Sequence, residues 1–176
     1  MFKPQFWFKK KQRCDFAKVK LLATDVDGVL TDGKIIFSDD GIQYKNFNVK
    51  DGLGIKLLLD HNIHVAILTA SKSQAIIQRA NNLAIKIVLT GLTDKLAALH
   101  EVCNNLQIST TEVAYIGDDV NDIAVIKEVG VGCCVLDAHP QVKIAASHIT
   151  TNPGGAGAVR EICDLILASK NMDINS

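Results

Sequence analysis

The sequence predicts an α/β protein built on a doubly wound parallel sheet, and three features of its hydrophobic pattern support this. Short, almost continuously apolar segments recur along the chain, as expected for strands that are covered on both faces. The stretches between them place apolar residues at helical spacing, as in Leu92, Leu96, Leu99 and Val102. One hairpin-like segment interrupts the alternation, and alternating strands and helices are typical of doubly wound folds.

Five segments have the length and composition of buried strands, and helices are expected between them. They are KLLATD at 20–25, HVAILTA at 64–70, IKIVLT at 85–90, EVAYIGD at 112–118 and VGCCVL at 131–136. The exception is segment 34–48, where two β-rich pieces flank Ser38-Asp39-Asp40-Gly41. Because an Asp-Gly pair between such pieces is a strong hairpin signal, we expect a short hairpin directly after the first strand.

A single domain accounts for most of the 176 residues, since this length supplies one full hydrophobic core. We place the domain at 19–168, between a basic arm at 1–18 and a tail at 169–176. The composition, 48% hydrophobic and 22% charged, is that of a soluble globular protein. No apolar run approaches the roughly 18 residues of a membrane helix, so we expect a cytoplasmic protein without a membrane span.

The N-terminal arm is strongly basic, whereas the rest of the chain is acidic. The arm lacks the apolar core and the small-residue cleavage site of a secretory signal. A loosely docked arm and an arm that contacts a membrane surface or a partner both stay open. The acidic body and its few aromatic residues argue against nucleic-acid binding. Five cysteines without C-x-x-C spacing predict neither a disulfide framework nor a zinc site.

Polar side chains follow the predicted strands where each strand ends. In open sheets of this class ligands bind at the carboxyl ends of the strands, so these side chains are expected to meet at one rim. They are Asp25 and Asp27 after the first strand, Thr69 and Ser71 after the second, Lys95 beyond the third, and GDDVND at 117–122 after the fourth.

The carboxylates at this rim predict a magnesium site. Carboxylates brought together from separate strands repel one another unless a cation lies between them, and ligand sets made only of oxygen favour Mg²⁺. Asp25 and Asp118 are the expected direct ligands. Such a site suits a substrate that brings phosphate oxygens. Thr69 can donate a hydrogen bond to a phosphoryl oxygen, and Lys95 supplies a compact positive charge beside it.

The same residues predict a phosphoryl-transfer mechanism. An aspartate can attack phosphorus and form an aspartyl-phosphate that water then hydrolyses, and Asp25 is our candidate nucleophile. Asp27, two residues further on, is the candidate general acid and base for the leaving alkoxide and the attacking water. Mg²⁺ and Lys95 would offset the charge on the transferred group.

Taken in order, DVDGVLTDG at 25–33, Thr69, Lys95 and GDDVND resemble the haloacid dehalogenase superfamily of phosphatases. The hairpin in place of a cap domain, KDGLGIKLL at 50–58 and GGAGAVREICDLIL at 154–167 are similar to the 3-deoxy-D-manno-octulosonate 8-phosphate (KDO 8-phosphate) phosphatases within it. This resemblance implies Mg²⁺-dependent hydrolysis of that sugar-acid phosphate to the free sugar acid in lipopolysaccharide precursor synthesis. It also implies a homotetramer whose subunits complete one another's active sites.

The resemblance further assigns roles at matching positions. It implies Asp25 and Asp118 as metal ligands through their carboxylates and Asp27 as a ligand through its backbone carbonyl, with Thr69 and Lys95 at the phosphate. Supporting positions at the metal site are implied for Asp119, Asn121 and Asp122.

The sequence departs from the superfamily after the second strand, where Thr69-Ala70-Ser71 and then Lys72 stand in place of the usual Thr-Gly-Arg. Serine cannot imitate the planar fork of arginine, and lysine does so only as a point charge. Ser71 and Lys72 are therefore candidate substrate contacts, and a nonulosonic acid 9-phosphate stays open as an alternative substrate.

Two further residues have both a structural and a substrate-binding interpretation. Asp51 is either the N-cap of the following helix or a substrate contact. Arg160 either reaches an anionic substrate or pairs with Glu161 or Asp164 on its own helix.

Other function classes fit the sequence less well. A phosphomutase or a broad phosphatase usually carries an inserted cap domain, which this chain lacks. A phospho-accepting receiver domain has its acceptor on the third strand, whereas D-x-D here lies on the first strand. A non-catalytic assembly module of the same fold should have lost Asp25 or Asp118, and both are present.

Overall fold

The protein, described here from a computed structural model over residues 14–172, is built around eight strands. They are β1 (Leu21–Thr24), β2 (Ile36–Phe37), β3 (Gln43–Tyr44), β4 (His64–Leu68), β5 (Ile87–Leu89), β6 (Val113–Gly117), β7 (Val131–Cys134) and β8 (His148–Ile149). Six of them form one parallel sheet in the order β5-β4-β1-β6-β7-β8. The predicted doubly wound parallel sheet and its five strands are confirmed.

The sixth strand, β8, was not predicted. It is two residues long, and His148 and Ile149 pair with Cys133 and Cys134 of β7. A hydrophobic pattern needs a longer run than this to stand out, because two residues show no period. β8 pairs with the edge of β7 that faces away from β6.

The predicted hairpin is also present, with shorter strands than its β-rich pieces suggested. Ile36 and Phe37 of β2 pair antiparallel with Tyr44 and Gln43 of β3. Gly41 closes the turn at a φ of +81°, a backbone conformation that glycine adopts without steric cost. The hairpin forms its own two-stranded sheet beside the main one.

Within residues 14–172, six α-helices cover the sheet. They are α1 (Val49–Asp60), α2 (Gln74–Asn82), α3 (Lys95–Leu106), α4 (Ile123–Glu128), α5 (Pro140–Ala145) and α6 (Ala158–Ser169). From the central strand β1 the chain first moves towards β5 and later returns towards β8, so right-handed crossovers place the two groups of helices on opposite faces. Accordingly α1 packs on α6, while α4 packs on both α3 and α5.

The chain ends of the described region lie against the domain. A 3₁₀ turn at Phe16–Lys18 contacts α6, and Lys170 Nζ donates a hydrogen bond to the Ala17 carbonyl at 2.6 Å. Most of the predicted arm, 1–13, and the end of the predicted tail, 173–176, lie outside the described residues, so the boundaries at 18 and 168 stay predictions. In the described part of the chain, no helix is both long and apolar enough to cross a membrane.

Candidate active site

The candidate site lies at the carboxyl ends of β1, β4 and β6, where the strand order reverses beside β1. An open cleft at this rim brings together most of the polar residues that the sequence singled out. Its lining includes Asp25, Asp27, Gly28, Thr69, Ser71, Asp118, Asp119 and Asn121.

Asp25, directly after β1, is a buried carboxylate with two fixed hydrogen bonds. The Val26 amide donates to Oδ1 at 2.7 Å, and Lys95 Nζ donates to Oδ2 at 2.6 Å. Burial raises the pKa of Asp25, the Lys95 ammonium opposes that rise, and the nearby Asp122 carboxylate adds to it. The side chain is therefore held in one orientation at the lining of the cleft.

Lys95 is a buried ion-pair partner and not a solvated helix residue. It is the first residue of α3, and the preceding Asp94 caps that helix by accepting from the Ala97 amide. Its ammonium bridges Asp25 and Asp122, at 2.6 and 2.7 Å. Burial pulls the pKa of Lys95 down, but the two carboxylates outweigh it and raise the pKa, so the side chain stays protonated.

Asp122 is the fully buried centre of the hydrogen-bond network. Its Oδ1 accepts from Lys95 Nζ and from the Tyr115 hydroxyl at 2.5 Å, and its Oδ2 accepts from the amides of Asp118 and Asp119 at 3.0 and 3.3 Å. The carboxylate therefore fixes the backbone of the loop that carries Asp118, which agrees with the supporting role implied for it.

Tyr115 is a site residue that the sequence analysis missed. It lies on β6 among apolar neighbours, is completely buried, and its hydroxyl donates to Asp122. Burial, with the carboxylates of Asp122 and Asp25 added, raises its pKa well above the usual value, so the phenol remains a neutral donor. The available signal was its place as the single polar side chain of VAYIG, two residues before the acidic motif.

Asp118 lies at the end of β6 and faces the loop after β1. A Cβ on Gly28, whose φ is +79°, would lie 2.0 Å from Asp118 Oδ2, so a side chain at position 28 would force this carboxylate to move. Burial is the main cause that raises the pKa of Asp118 to about 7, and the charges of Asp25, Asp122 and Asp119 add to it. No residue within 14–172 donates a hydrogen bond to its carboxylate, which leaves both oxygens available to a cation.

The acidic cluster fits the predicted magnesium ion. One carboxylate oxygen from each of Asp25, Asp118 and Asp122 lies within 4.8 Å of the others. The set contains only oxygen donors, which suits Mg²⁺. Since Asp122 already accepts four hydrogen bonds, Asp25 and Asp118 have more free acceptor capacity for an ion, and their role as direct ligands stays a prediction.

Asp27 lines the same cleft and is half exposed. Lys45, which follows the hairpin strand β3, donates from its ammonium to Asp27 Oδ1. The sequence analysis missed Lys45, because nothing in the run IQYKNF shows that one lysine faces the acidic loop.

Thr69 and Ser71, which follow β4, also line the cleft. Thr69 is buried, and its hydroxyl oxygen accepts from the Ser71 amide at 3.2 Å. The Ser71 carbonyl accepts in turn from the Gly91 amide at 3.1 Å, which joins the loops after β4 and β5. Lys72 is exposed, and its side chain lies across Gly91 and outside the residues that line the cleft.

The structure separates Asp51 and Arg160 from this cleft. The expected N-cap role of Asp51 is wrong for its own helix: Asn48 caps α1, and Asp51 lies buried in the first turn. Its Oδ1 instead accepts from the Arg160 amide at 2.8 Å, because Gly157, at the N-cap of α6, has no side chain to do so. Arg160 pairs with Asp164 at 2.7 Å. A substrate contact by either residue stays a prediction without support from this geometry.

The remaining acidic-motif residues shape the loop. Asp119 accepts from the Val120 amide at 2.7 Å and caps the 3₁₀ turn Val120–Asp122. Asn121 lies on this turn and lines the cleft.

Comparison with known proteins agrees with this architecture. A sequence profile described as haloacid dehalogenase-like hydrolase matches residues 59–162. The 3-deoxy-D-manno-octulosonate 8-phosphate phosphatase KdsC of Yersinia pestis is 45% identical over 155 residues, which are 88% of this chain and 83% of that protein. The chain belongs to the haloacid dehalogenase-like hydrolases. The family predicted from the motifs is thereby confirmed.

Further relatives support this haloacid dehalogenase-like hydrolase assignment. KdsC of Salmonella typhi is 43% identical over 152 residues, 86% of this chain and 81% of that protein. The crystal structure of the Yersinia pestis phosphatase matches with a TM-score of 0.89 and 43% identity, covering 92% of this chain and 88% of the other. The Moraxella catarrhalis phosphatase, in complex with a magnesium ion, a phosphate ion and a KDO molecule, matches with a TM-score of 0.88 and 41% identity, covering 89% and 90%.

Proposed function

We propose that this protein is a Mg²⁺-dependent phosphatase that hydrolyses 3-deoxy-D-manno-octulosonate 8-phosphate to the free sugar acid and phosphate. The observation that carries the proposal is the buried arrangement in which Lys95 bridges Asp25 and Asp122 while Asp118 faces the same cleft. The identity to KdsC proteins over most of both chains supports the substrate. The phosphatase structure that holds magnesium, phosphate and KDO supports the cofactor.

In the proposed reaction Asp25 attacks the phosphorus of the substrate, and the bond from phosphorus to the sugar oxygen breaks as the bond to the Asp25 carboxylate forms. Asp27 gives a proton to the departing sugar oxygen. Asp27 then takes a proton from water, which attacks the same phosphorus, and phosphate and the free Asp25 carboxylate result. The two carboxylates thus divide the work of nucleophile and general acid/base.

The surrounding residues hold the reacting groups. Lys95 and the Val26 amide fix the orientation of Asp25, and Lys95 offers positive charge beside the incoming phosphoryl oxygens. Thr69 supplies a hydroxyl donor at the wall of the cleft. Asp25, Asp118 and the Asp27 backbone carbonyl would hold Mg²⁺, which supplies positive charge to the phosphoryl group when bound.

We also propose the finer properties that the resemblance implied, namely a cytoplasmic homotetramer that acts in lipopolysaccharide precursor synthesis. Exposed apolar residues on the hairpin support an assembly, because a monomer rarely exposes a contiguous apolar patch of this kind. The exposed apolar residues of the hairpin are Ile35, Ile36, Phe37, Ile42 and Tyr44. The nonulosonic acid 9-phosphate alternative is less well supported, because the similar proteins named above are KdsC phosphatases. The non-catalytic module is less well supported, because Asp25, Asp118 and Asp122 are all present and lie together.

The test is phosphate release by the purified protein with Mg²⁺ from a panel that contains the octulosonate 8-phosphate, nonulosonate 9-phosphates and simple sugar phosphates. We expect the octulosonate 8-phosphate to give the highest kcat/KM and chelation of Mg²⁺ to abolish release. A higher kcat/KM for a nonulosonate 9-phosphate would replace the substrate, and the absence of release from every phosphate would overturn the proposed function.

A further inference from the structure

We infer that Lys45 of the hairpin is a positioning residue that holds the Asp27 carboxylate over the cleft. The inference rests on the proposed function, because it concerns the residue to which we give the acid/base role. It adds a residue that no sequence motif identified, and it gives the hairpin a part in catalysis within its own subunit.

The ion pair between Lys45 and Asp27 differs from an ordinary surface ion pair, because the lysine side chain is buried. The Lys45 side chain is only 4% exposed, although the Asp27 side chain is 43% exposed. Withdrawing an ammonium group from water is costly unless a partner accepts its charge, and within residues 14–172 Asp27 is the one acceptor found for it. Lys34 at the start of the hairpin behaves differently, since its side chain is 77% exposed and pairs with Asp32.

The backbone around Lys45 explains why its side chain points inwards. Residues alternate in direction along an extended segment, so Lys45 and Phe47 face the domain while Tyr44 and Asn46 face outwards. Phe47 packs against the core, and the Arg79 guanidinium lies over its ring.

The chain after Phe47 is also anchored. Arg79 Nη2 donates to the Asn48 carbonyl at 3.0 Å, and Asn48 Nδ2 donates to the Gly155 carbonyl at 3.0 Å. These bonds fix the end of the hairpin to α2 and to the loop before α6. They therefore also hold the nearby backbone from which the Lys45 side chain extends.

This arrangement gives Lys45 a defined task. A half-exposed aspartate on a loop can take several rotamers, of which few direct the carboxylate at both the leaving oxygen and the attacking water. The ammonium of Lys45 selects one rotamer by a charge-assisted hydrogen bond. Because the hairpin also carries the exposed apolar residues, any partner that orders the hairpin would also order Asp27.

Three variants test the inference. Lys45→Met keeps the apolar stem and removes the charge, Lys45→Arg keeps a cation, and Lys34→Met is the matched control on the same hairpin. We expect Lys45→Met to lower kcat by about tenfold or more, as part of the contribution of a general acid/base, with KM changed less than about threefold. Lys45→Arg should recover most of this loss, and Lys34→Met should leave kcat unchanged.

Two readouts separate positioning from a structural role. In an Asp27→Ala background, Lys45→Met should cost less than about twofold in kcat, because nothing remains for Lys45 to position. In a crystal structure of Lys45→Met, the Asp27 carboxylate should leave its place while Asp25 and Asp118 keep theirs. An unchanged kcat, an unmoved Asp27, or an equal loss in both backgrounds would overturn the inference.

The substrate for these measurements is the phosphomonoester that the wild type turns over fastest. If that is not the octulosonate 8-phosphate, the proposed substrate is wrong while the role of Lys45 is still tested. If no phosphomonoester is hydrolysed, the proposed function and the role of Lys45 are both overturned.

Discussion

Asp118 shows how the site responds to its own charge. Burial and three neighbouring carboxylates raise the pKa of Asp118 to about 7. In the metal-free protein this carboxyl therefore keeps its proton at pH values where the unfolded chain, with a carboxyl pKa of 3.8, has released it. A raised carboxyl pKa stabilises the fold fully below the unfolded pKa, and that contribution is lost as the pH rises through about 7. Bound Mg²⁺ instead favours the ionised form of Asp118, because the ion binds carboxylates that have lost their protons.

We therefore expect the melting temperature of the metal-free protein to fall between about pH 4 and about pH 7 through this group. The stabilisation by saturating Mg²⁺ should grow over the same interval, and its binding below pH 7 should release protons. Thermal melts with and without Mg²⁺, and calorimetry in buffers of different ionisation enthalpy, measure these effects. Asp118→Asn should reduce the pH dependence, with the exposed Asp60→Asn as control; equal behaviour of the two variants would contradict this assignment.

Asp25 is the residue on which the proposed chemistry depends most. Asp25→Asn keeps the shape of the side chain but removes the attacking carboxylate and one charge beside Lys95, which still pairs with Asp122. We expect kcat to fall by more than about a thousandfold, as for other nucleophile replacements, while the fold persists. Mass spectrometry of quenched wild-type reactions should show a phosphorylated species that Asp25→Asn lacks. Turnover close to that of the wild type would remove Asp25 from the role of nucleophile.

At the scale of elements, the loop before α6 packs against the 25–33 loop, which carries Asp25 and Asp27. A Cβ on Gly154 would lie 1.8 Å from the Gly28 carbonyl oxygen, and the Gly155 amide donates to the Val29 carbonyl at 2.9 Å. Asp137 holds the Gly154 amide at 2.9 Å. Gly154 and Gly155 therefore pack directly against the loop that carries Asp27.

Gly154→Ala should consequently push the 25–33 loop out of place. We expect a destabilisation of about 1–3 kcal/mol, the usual cost of inserting a methyl group into a packed site, together with a drop in kcat. Ala156→Ser, two residues away at an exposed position, is the control and should leave both unchanged. Urea unfolding and steady-state kinetics measure the two effects, and a Gly154→Ala protein with wild-type stability and kcat would show that the loop does not need this support.

The sequence was informative wherever a feature depends on local pattern. Buried strands, the Asp-Gly turn and the acidic strand ends all follow from residue type and spacing, so the main sheet, the hairpin and the cleft at its rim were predictable. The contact of Lys45 with Asp27 and the pairing of Asp51 with α6 were not, because they join segments that are 18 and 109 residues apart. Tyr115 lies only seven residues from Asp122, but its place in an apolar strand does not by itself show that its hydroxyl donates to that carboxylate. The sequence also could not decide whether Lys95 is solvated, since its burial depends on two carboxylates from other loops.

At the scale of the whole molecule, the hairpin is the feature that a monomer does not explain. Two strands of two residues each are marginal in water, yet the hairpin exposes 63% of Phe37 and 53% of Tyr44. Val49 and Leu53 on α1, the next element along the chain, are exposed as well. A second copy of the chain that covers this surface would both bury it and stabilise the hairpin, which is the basis of the proposed tetramer.

We therefore expect light scattering at micromolar concentration to give about four times the chain mass of 19.1 kDa for the wild type. Phe37→Ser with Ile42→Ser should lower the mass towards one chain, because it removes two of the exposed apolar side chains that would otherwise be buried between subunits. Ile144→Ser is the matched control, since Ile144 is 84% exposed but lies on α5, away from the hairpin. A wild-type monomer, or an equal loss of mass in the control, would contradict assembly through this surface. If the hairpin variant dissociates and also loses kcat, restoring assembly at high protein concentration should restore kcat, because the ordered hairpin then returns Lys45 to Asp27.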